Sequence, residues 1–484
     1  MTRNSDLRLV GVDAAATGET RKGGFTPAMR GALIKAMSAE GRTGQSLGRA
    51  SIAALAVFVV GAGLSYVAQL VTARIIGPDS YGVYVYVLAW VTLLGYSSTL
   101  GFHVSLLRFV PAYQAREEWA FVRGVIQYSE RGAAGTAVGI VVIGVCGIVV
   151  LRGWMRPELA YTFLLGIAAV PFLTLHLIGA SVVRAFGGVV AALAPERVVR
   201  DSLLLAIIAV AFWGNLYRLD ATLAMGATLV SSLVTLGLVR IFLRRLRPPS
   251  LDHAKPAYAA GDWWQPTLPL TVIMAADSLM SRSGVIALGL AGNTREAGIF
   301  AVAFSMAILT ALPRMAVATV FAPTVSALFA RGDHAGLQSL SAKAACLSLL
   351  GTTFTAIPLL LLRQPLLAWF GRDFVAGAPI VTILVLGHVF TAACGPQQHL
   401  ITMTGHERTG AAMLAIGAGS SFIACMLMIN SHGMTGVALA MTAALIAWNA
   451  AMGVFIHRRL HLMPGLFASF KAIPRRRRAA DCGI

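Results

Sequence analysis

Long apolar stretches separated by short polar punctuation run from about residue 51 to residue 457. A stretch of about 20 uncharged residues, coiled as a helix, crosses roughly 30 Å of hydrocarbon. Lipid offers no partner to a bare N–H or C=O, so such stretches must be helical. A membrane β-barrel would instead alternate apolar and polar residues over segments of about ten residues, and the chain lacks that pattern. The blocks predict twelve helices, near 51–73, 82–106, 130–151, 159–178, 199–217, 220–242, 267–290, 296–320, 342–362, 377–396, 410–430 and 434–457. Pro171, Pro313 and Pro358 fall inside them. Such breakers are tolerated in a bundle, where neighbours satisfy the freed backbone groups.

Composition agrees with a lipid solvent. Of 484 residues, 57% are hydrophobic and 12% charged, against about a quarter charged in a soluble domain. The net charge of +19 reads as topology rather than as a nucleic-acid surface. Basic residues crowd the two tails and the loops after helices 2, 4, 6, 8 and 10, including Arg108, Arg184, Arg197, Arg200, Arg240, Arg244, Arg245 and Arg247. The opposite side holds only Arg74, Arg152, Arg156, Arg218, Arg295, Arg363 and Arg372. That asymmetry predicts both termini in the cytoplasm. Residues 1–50 lack the apolar core of a secretory signal and read as an unstructured tail. Trp263 and Trp264, before helix 7, read as interfacial anchors. Cysteine and histidine spacing gives no disulfide framework and no metal site, and no cofactor is implied.

The two halves of the chain resemble each other. Gly82 and Tyr84 answer Gly298 and Phe300; Phe109 and Pro111 answer Phe321 and Pro323; Glu196-Arg197 answers Glu407-Arg408. The offsets are 216, 212 and 211 residues. A nearly constant offset over six helices predicts a parallel six-plus-six duplication, an all-α membrane fold with two lobes around a central cavity. The expected division is a tail over 1–50, an N-lobe over 51–245, a linker over 246–266, a C-lobe over 267–457 and a basic tail over 458–484.

The run from Ala73 to Tyr84, ARIIGPDSYGVY, resembles the signature that opens the second helix of the Wzx-type polysaccharide flippases in the MATE/oligosaccharidyl-lipid/polysaccharide exporter (MOP) superfamily. The continuation through Gly101-Phe102 and Leu107-Arg108-Phe109-Val110-Pro111 is similar to the same family, as are Asp277 and the run from Ala297 to Ala303. The resemblance implies a multi-pass protein of the bacterial inner membrane that flips a polyprenyl-pyrophosphate-linked oligosaccharide, for exopolysaccharide or lipopolysaccharide synthesis, by alternating access. It also implies membrane lipids as partners, with polysaccharide polymerase and export machinery as further candidates, and no nucleic acid. A cation-coupled multidrug exporter of the same superfamily is the alternative. A glycan polymerase or ligase would need a catalytic outer loop; the outer loops are short, so no enzyme is expected. No GxxxxGK[ST] loop marks an ATPase.

A charge deep in hydrocarbon costs about 2.5 kcal/mol or more, so it faces a cavity or a partner. Asp277 lies about 14 Å into helix 7 at 1.5 Å per residue and is the candidate proton or coupling-ion site. Arg282 follows it by about 140° around the helix and is a candidate for an anionic head group. Arg314, one turn beyond Thr310 in helix 8, suits a pyrophosphate through bidentate bonds. Tyr96, Thr99 and His103 form one polar stripe on helix 2, with Arg108 at its mouth; Gln69 and Arg74 on helix 1 complete the set. The resemblance implies a cavity lined by helices 1, 2, 7 and 8. Each of these residues has a structural alternative: a salt bridge or hydrogen bond between helices, or a basic side chain reaching the interface. His176 and His388 read as buried neutral histidines.

Overall fold

The computed structural model describes residues 27–214, 219–463 and 465. The chain divides into two units, Met1–Ala53 and Ala54–Ile484. Among the described residues there is no strand, and nine helical runs are long and apolar enough to cross a membrane.

The first half comprises α1 (Pro27–Ser98), α2 (Phe102–Gln114), α3 (Trp119–Leu151), α4 (Pro157–Ala185), α5 (Val189–Ala194), α6 (Arg200–Trp213) and α7 (Ala221–Leu246). After the short α8 (Ser250–His253), the second half comprises α9 (Ala260–Leu290), α10 (Thr294–Ile308), α11 (Leu312–Ala330), α12 (His334–Ala368), α13 (Ala378–Cys394), α14 (Gln397–Met403) and α15 (Glu407–Phe455).

Two of these runs are hairpins. In α1, Gly77 sits at φ 79, ψ 167, a conformation closed to residues with a Cβ. Pro78 follows and cannot continue the helical bonding. Ala68 packs in one cluster with Ala227, while Tyr84 shares a 3.0 Å hydrogen bond with Thr228. On a straight helix Ala68 and Tyr84 would stand about 24 Å apart, so the chain has turned back. Gly433 (φ 53) does the same in α15, where the Cys425 thiol donates to the Val437 carbonyl at 3.8 Å. Two helices start on a side-chain cap: Asp220 accepts from the Leu223 amide at the start of α7, and Asp333 from Gly336 at the start of α12.

The halves touch at both ends of the bundle. At one end α1 and α10 pack backbone to backbone: a Cβ on Gly82 would overlap the Thr294 carbonyl oxygen, and one on Gly298 would lie 2.9 Å from the Gly82 amide. Tyr81, Tyr84, Tyr86, Phe300, Phe370 and Phe374 fill this end in one apolar core. Above them Arg295 reaches Asp79 at 3.5 Å and Asp373 at 3.0 Å. At the other end Ser105 shares a 2.8 Å hydrogen bond with Thr267.

Three expectations change. The helix α1 begins at Pro27, inside the expected tail, because Pro at the first helical position is followed by Ala, Met, Arg, Leu and Lys, all good helix formers. The basic residues Arg3, Arg8, Arg21 and Lys22, and the run Arg475–Arg478, lie outside the described residues. Trp263 is not an interfacial anchor. It is fully buried within α9, and its indole N–H donates to the Tyr113 hydroxyl at 3.0 Å, while Trp264 donates to Tyr128 at 2.7 Å. Thirdly, Arg184, Arg197 and Arg200 are not loop residues: α4 carries the first, and the other two belong to a continuous helical path from Val189 to Trp213.

Candidate functional site

Two polar sites stand in equivalent places, a cluster of side chains in the first half and a cavity in the second. The first begins where α1 gives way to α2. The Thr99 hydroxyl donates to the Tyr96 carbonyl at 2.7 Å and pairs with His103 Nδ1 at 2.6 Å. The link through Leu100 (φ 51) and Gly101 (φ 74) takes the left-handed region. This break turns the predicted stripe into a compact group, with the Tyr96 ring edge-on to His103 at 5.6 Å. From α4, Ser181 donates to the His103 carbonyl at 2.6 Å, and Arg184 reaches Ser181 at 3.3 Å.

Opposite them the chain between α5 and α6 winds as a π-helix over Pro195–Val199, with the Arg200 amide bonded to the Pro195 carbonyl. One widened turn in a helix is a common device at functional sites. It carries Glu196, whose carboxylate lies 3.8 Å from His176 Nε2, and leads into Arg200, paired with buried Asp201 at 3.0 Å. Arg282 enters from α9, in the second half, and interacts electrostatically with Tyr81, Tyr84, Tyr96 and Arg200. Tyr96, Thr99, His103 and Arg282 thus share one region with His176, Arg184, Glu196, Arg200 and Asp201.

The second pocket is a cavity of about 180 Å³ between α9, α10, α11, α13, α14 and α15. Asp277 projects into it with its side chain open, facing the charge of Arg314. His388, Thr391, Gln397, His399, Trp448 and Asn449 line the remainder. Gln397 Oε1, Ser421 Oγ and Trp448 Nε1 are buried there without a hydrogen-bond partner. His399, on α14 outside the spanning helices, is held below the ordinary imidazole value by burial and then by the Arg314 charge. Arg314 and Arg282, expected in one hollow, therefore lie in different pockets.

Three predicted residues join neither pocket. Arg74 is exposed and donates to the Trp369 carbonyl at 3.2 Å, bridging the halves at the Asp79 end. Arg108 is exposed, and Gln69 is half-buried on the helical arm of α1 that precedes Gly77. Among the described residues no group of three His, Cys, Asp or Glu side chains is placed to hold a metal.

The duplication relates the two pockets. Thr99 and His103 correspond to Thr310 and Arg314 at an offset of 211, and His176 corresponds to His388 at 212. These offsets match those of the repeat, so the histidine pair was legible without coordinates. Glu196 was harder, because Pro-Glu-Arg has the composition of a loop; the apolar run Val189–Ala194 before it was the available signal. A separate cleft of about 460 Å³ between α3, α7 and α8 gathers Arg123, Arg240, Arg244 and Arg247 with Glu130 and Asp252.

Comparison with known proteins places this architecture. Residues 47–329 match the family model described as "Polysaccharide biosynthesis protein". The uncharacterized membrane protein EpsK of Bacillus subtilis (strain 168) is 27% identical over 296 residues, which is 60% of this chain and 55% of EpsK; the chain thus spans about half the length of that curated relative. Among solved structures, an inward-facing multidrug resistance MATE family transporter of the MOP superfamily superposes with a TM-score of 0.69 at 13% identity, covering 87% of this chain and 99% of that one. The lipid II flippase MurJ, in an inward closed conformation, gives 0.67 at 16% identity, covering 84% and 87%. At such identities the likeness is one of fold. A family match over more than half the chain makes this protein a member of the polysaccharide biosynthesis protein family, and its helical bundle has the fold of the MATE and MurJ structures.

Proposed function

We propose that the protein moves a polyprenyl-pyrophosphate-linked oligosaccharide from the cytoplasmic to the periplasmic leaflet of a bacterial inner membrane, for exopolysaccharide or lipopolysaccharide synthesis. The observation that carries this reading is the first polar cluster, where Arg184, Arg200 and Arg282 outnumber Glu196 and Asp201. A diphosphate head entering the interior must shed water. Fixed guanidinium groups replace that hydration with charge-assisted, bidentate bonds and need no reorganisation to do so. The lipid tail stays in the bilayer while the head crosses. In a cell with a negative interior, outward movement of each negative charge is downhill by about 2.3 kcal/mol per 100 mV.

In this reading the chain crosses twelve times: the hairpins at Gly77 and Gly433 each cross twice, and the run from Val189 to Trp213 crosses once. Both tails face the cytoplasm, as the charge asymmetry favours, so the basic cleft of Arg240, Arg244 and Arg247 meets anionic lipid. The Asp79–Arg295 end then faces the periplasm. Its Gly82–Gly298 contact closes the path outward, and alternating access opens that end while closing the Ser105–Thr267 end. The N-lobe spans residues 51–245 and the C-lobe 267–457. Asp277 and Arg314 serve the coupling ion and the cycling of the C-lobe.

A second reading, a cation-coupled multidrug exporter, draws on Asp277, which stands open in a cavity with Phe304 and Trp448. Deleting the chromosomal copy and measuring surface glycan together with drug susceptibility separates the two. Loss of surface glycan, restored by the wild type and not by Arg282→Ala, supports glycan flipping. Normal glycan with raised drug sensitivity overturns it in favour of drug export.

A further inference from the structure

His176 has no role in the reading above. Its side chain is 2% exposed, and neither ring nitrogen has a hydrogen-bond partner. Burying polar atoms unpaired costs about 1–3 kcal/mol each, and native interiors rarely leave them so. The Glu196 carboxylate faces the ring, at 3.8 Å from Nε2. That gap is long for a neutral hydrogen bond. It is short for the attraction between an imidazolium and a carboxylate.

The fold builds this juxtaposition. Glu196 is presented by the π-helical turn, and α1 presses on the same turn. A Cβ on Gly61 would come within 2.7 Å of Arg197 Cβ and 2.8 Å of the Arg197 carbonyl oxygen. Arg197 is thereby turned outward over the Phe58 ring at 4.9 Å, and Glu196 is turned inward.

The charged neighbours of the pair come from several elements. The turn and α6 supply Arg197, Arg200 and Asp201; α4 supplies Arg184; α2 supplies His103; α1 supplies Tyr96; α9 supplies Arg282. The helix α7, packed along α4, has no ionisable side chain between Ala221 and Val239, and α5 has none. Glu130 of α3 is engaged by Arg240 at 2.6 Å.

Taking the first pocket as the anion site, we infer that His176 and Glu196 form a proton-binding pair whose protonation is coupled to binding of the diphosphate head. The step balances simply. The Nε2 lone pair takes a proton from a hydronium ion or buffer acid in solution, which leaves as water or the buffer's conjugate base, and the imidazolium N–H then donates to the Glu196 carboxylate. While His176 is neutral, Glu196 draws on the positive field of Arg184 and Arg200. Once His176 is charged, it answers Glu196 itself, and the guanidinium groups are left to the anion. Coupling of this kind is reciprocal: the anion raises proton affinity by the same factor as the proton raises anion affinity. The second half keeps a histidine at the equivalent position, His388, but its counterpart of Glu196 is Glu407, exposed at the start of α15. The pair is therefore a property of the first half alone.

The test uses the full chain in lipid nanodiscs, with inorganic pyrophosphate as the probe. Calorimetry in two buffers of different ionisation enthalpy measures proton uptake on binding. His176→Gln serves as the control that cancels the titration of the probe. The wild type is expected to gain affinity between pH 8 and pH 6 by on the order of 5- to 10-fold more than His176→Gln, with proton uptake lost in the variant. A variant that keeps the wild-type pH response and proton uptake overturns the pair. A second measurement needs no anion: the His176 resonance of ¹⁵N-histidine-labelled protein is followed against pH in the wild type and in Glu196→Gln, a near-isosteric change. A displaced curve supports the pair, and coincident curves overturn it even if His176→Gln does not fold. If the wild type binds no pyrophosphate at any pH, the anion site falls, and the proton pair is decided by the resonance alone.

Discussion

Gly82 and Gly298, equivalent residues of the two halves, pack against each other, with the Gly82 amide 2.9 Å from where a Gly298 Cβ would stand. Equivalent residues of a duplicated chain can meet only on the axis that relates the halves. The next pair along that axis, Asp79 and Arg295, also stands at an offset of 216 and also touches. The axis of the duplication therefore runs through this end of the bundle.

Replacing Gly82 with Val should separate the halves there, since the new side chain overlaps the Thr294 carbonyl. Overpacking of this sort costs about 1–3 kcal/mol. A disulfide between cysteines placed at Asp79 and Arg295 should form readily in the parent and poorly in the Gly82→Val background. Equal cross-linking in both would show that the contact does not hold this end closed.

Arg295→Ala removes both carboxylate contacts, yet all three side chains are more than half exposed. Exposed ion pairs contribute about 0–1 kcal/mol. Thermal unfolding should barely change, and maleimide labelling of a cysteine placed at Tyr86 should rise. A large fall in the melting temperature would mean that the pairs are structural.

Arg282→Ala and Arg314→Ala should both abolish glycan export while inserting normally. Because the two side chains occupy different pockets, only Arg282→Ala should lose pyrophosphate binding in nanodiscs. Loss of binding in both would merge the two pockets into one anion site.

Trp263→Phe should destabilise the joint between α2 and α9 by about 1 kcal/mol, the worth of one neutral hydrogen bond. Trp263→Ala should cost about 3–5 kcal/mol. Denaturation in mild detergent, compared with Tyr113→Phe, measures both. The Tyr113→Phe and Trp263→Phe losses should not add, because each removes the same bond.

His399 is held below the ordinary value of 6.5, so the unfolded chain binds its proton first as the pH falls. Stability from this residue therefore declines on acidification below about pH 6.5 and not above it. Arg314→Gln removes the repulsive charge and should raise the His399 midpoint in an NMR titration. An unmoved midpoint would place the Arg314 charge beyond its reach.

The apolar blocks told most of the fold because lipid leaves the backbone no alternative to helix, and the repeat showed through residues that pack the halves together, such as Gly82 and Gly298. Other features depend on partners far along the chain. Trp263 has the position of an interface anchor until Tyr113, 150 residues away, is placed beside it. Pro195-Glu196-Arg197 has loop composition and becomes helical only against Gly61 and His176. Asp277 and Arg314 announced themselves as charges in hydrocarbon, but which pocket each would enter followed from how α9 and α11 pack.

The contact between Asp79 and Arg295 also bears on how such a chain arises. If the halves descend from two identical chains, each position on the axis once faced its own copy, carboxylate against carboxylate or guanidinium against guanidinium. Such a partnership of twins repels itself at that spot. Joining the copies into one polypeptide freed each side to mutate alone, and attraction across the axis is what that freedom made attainable.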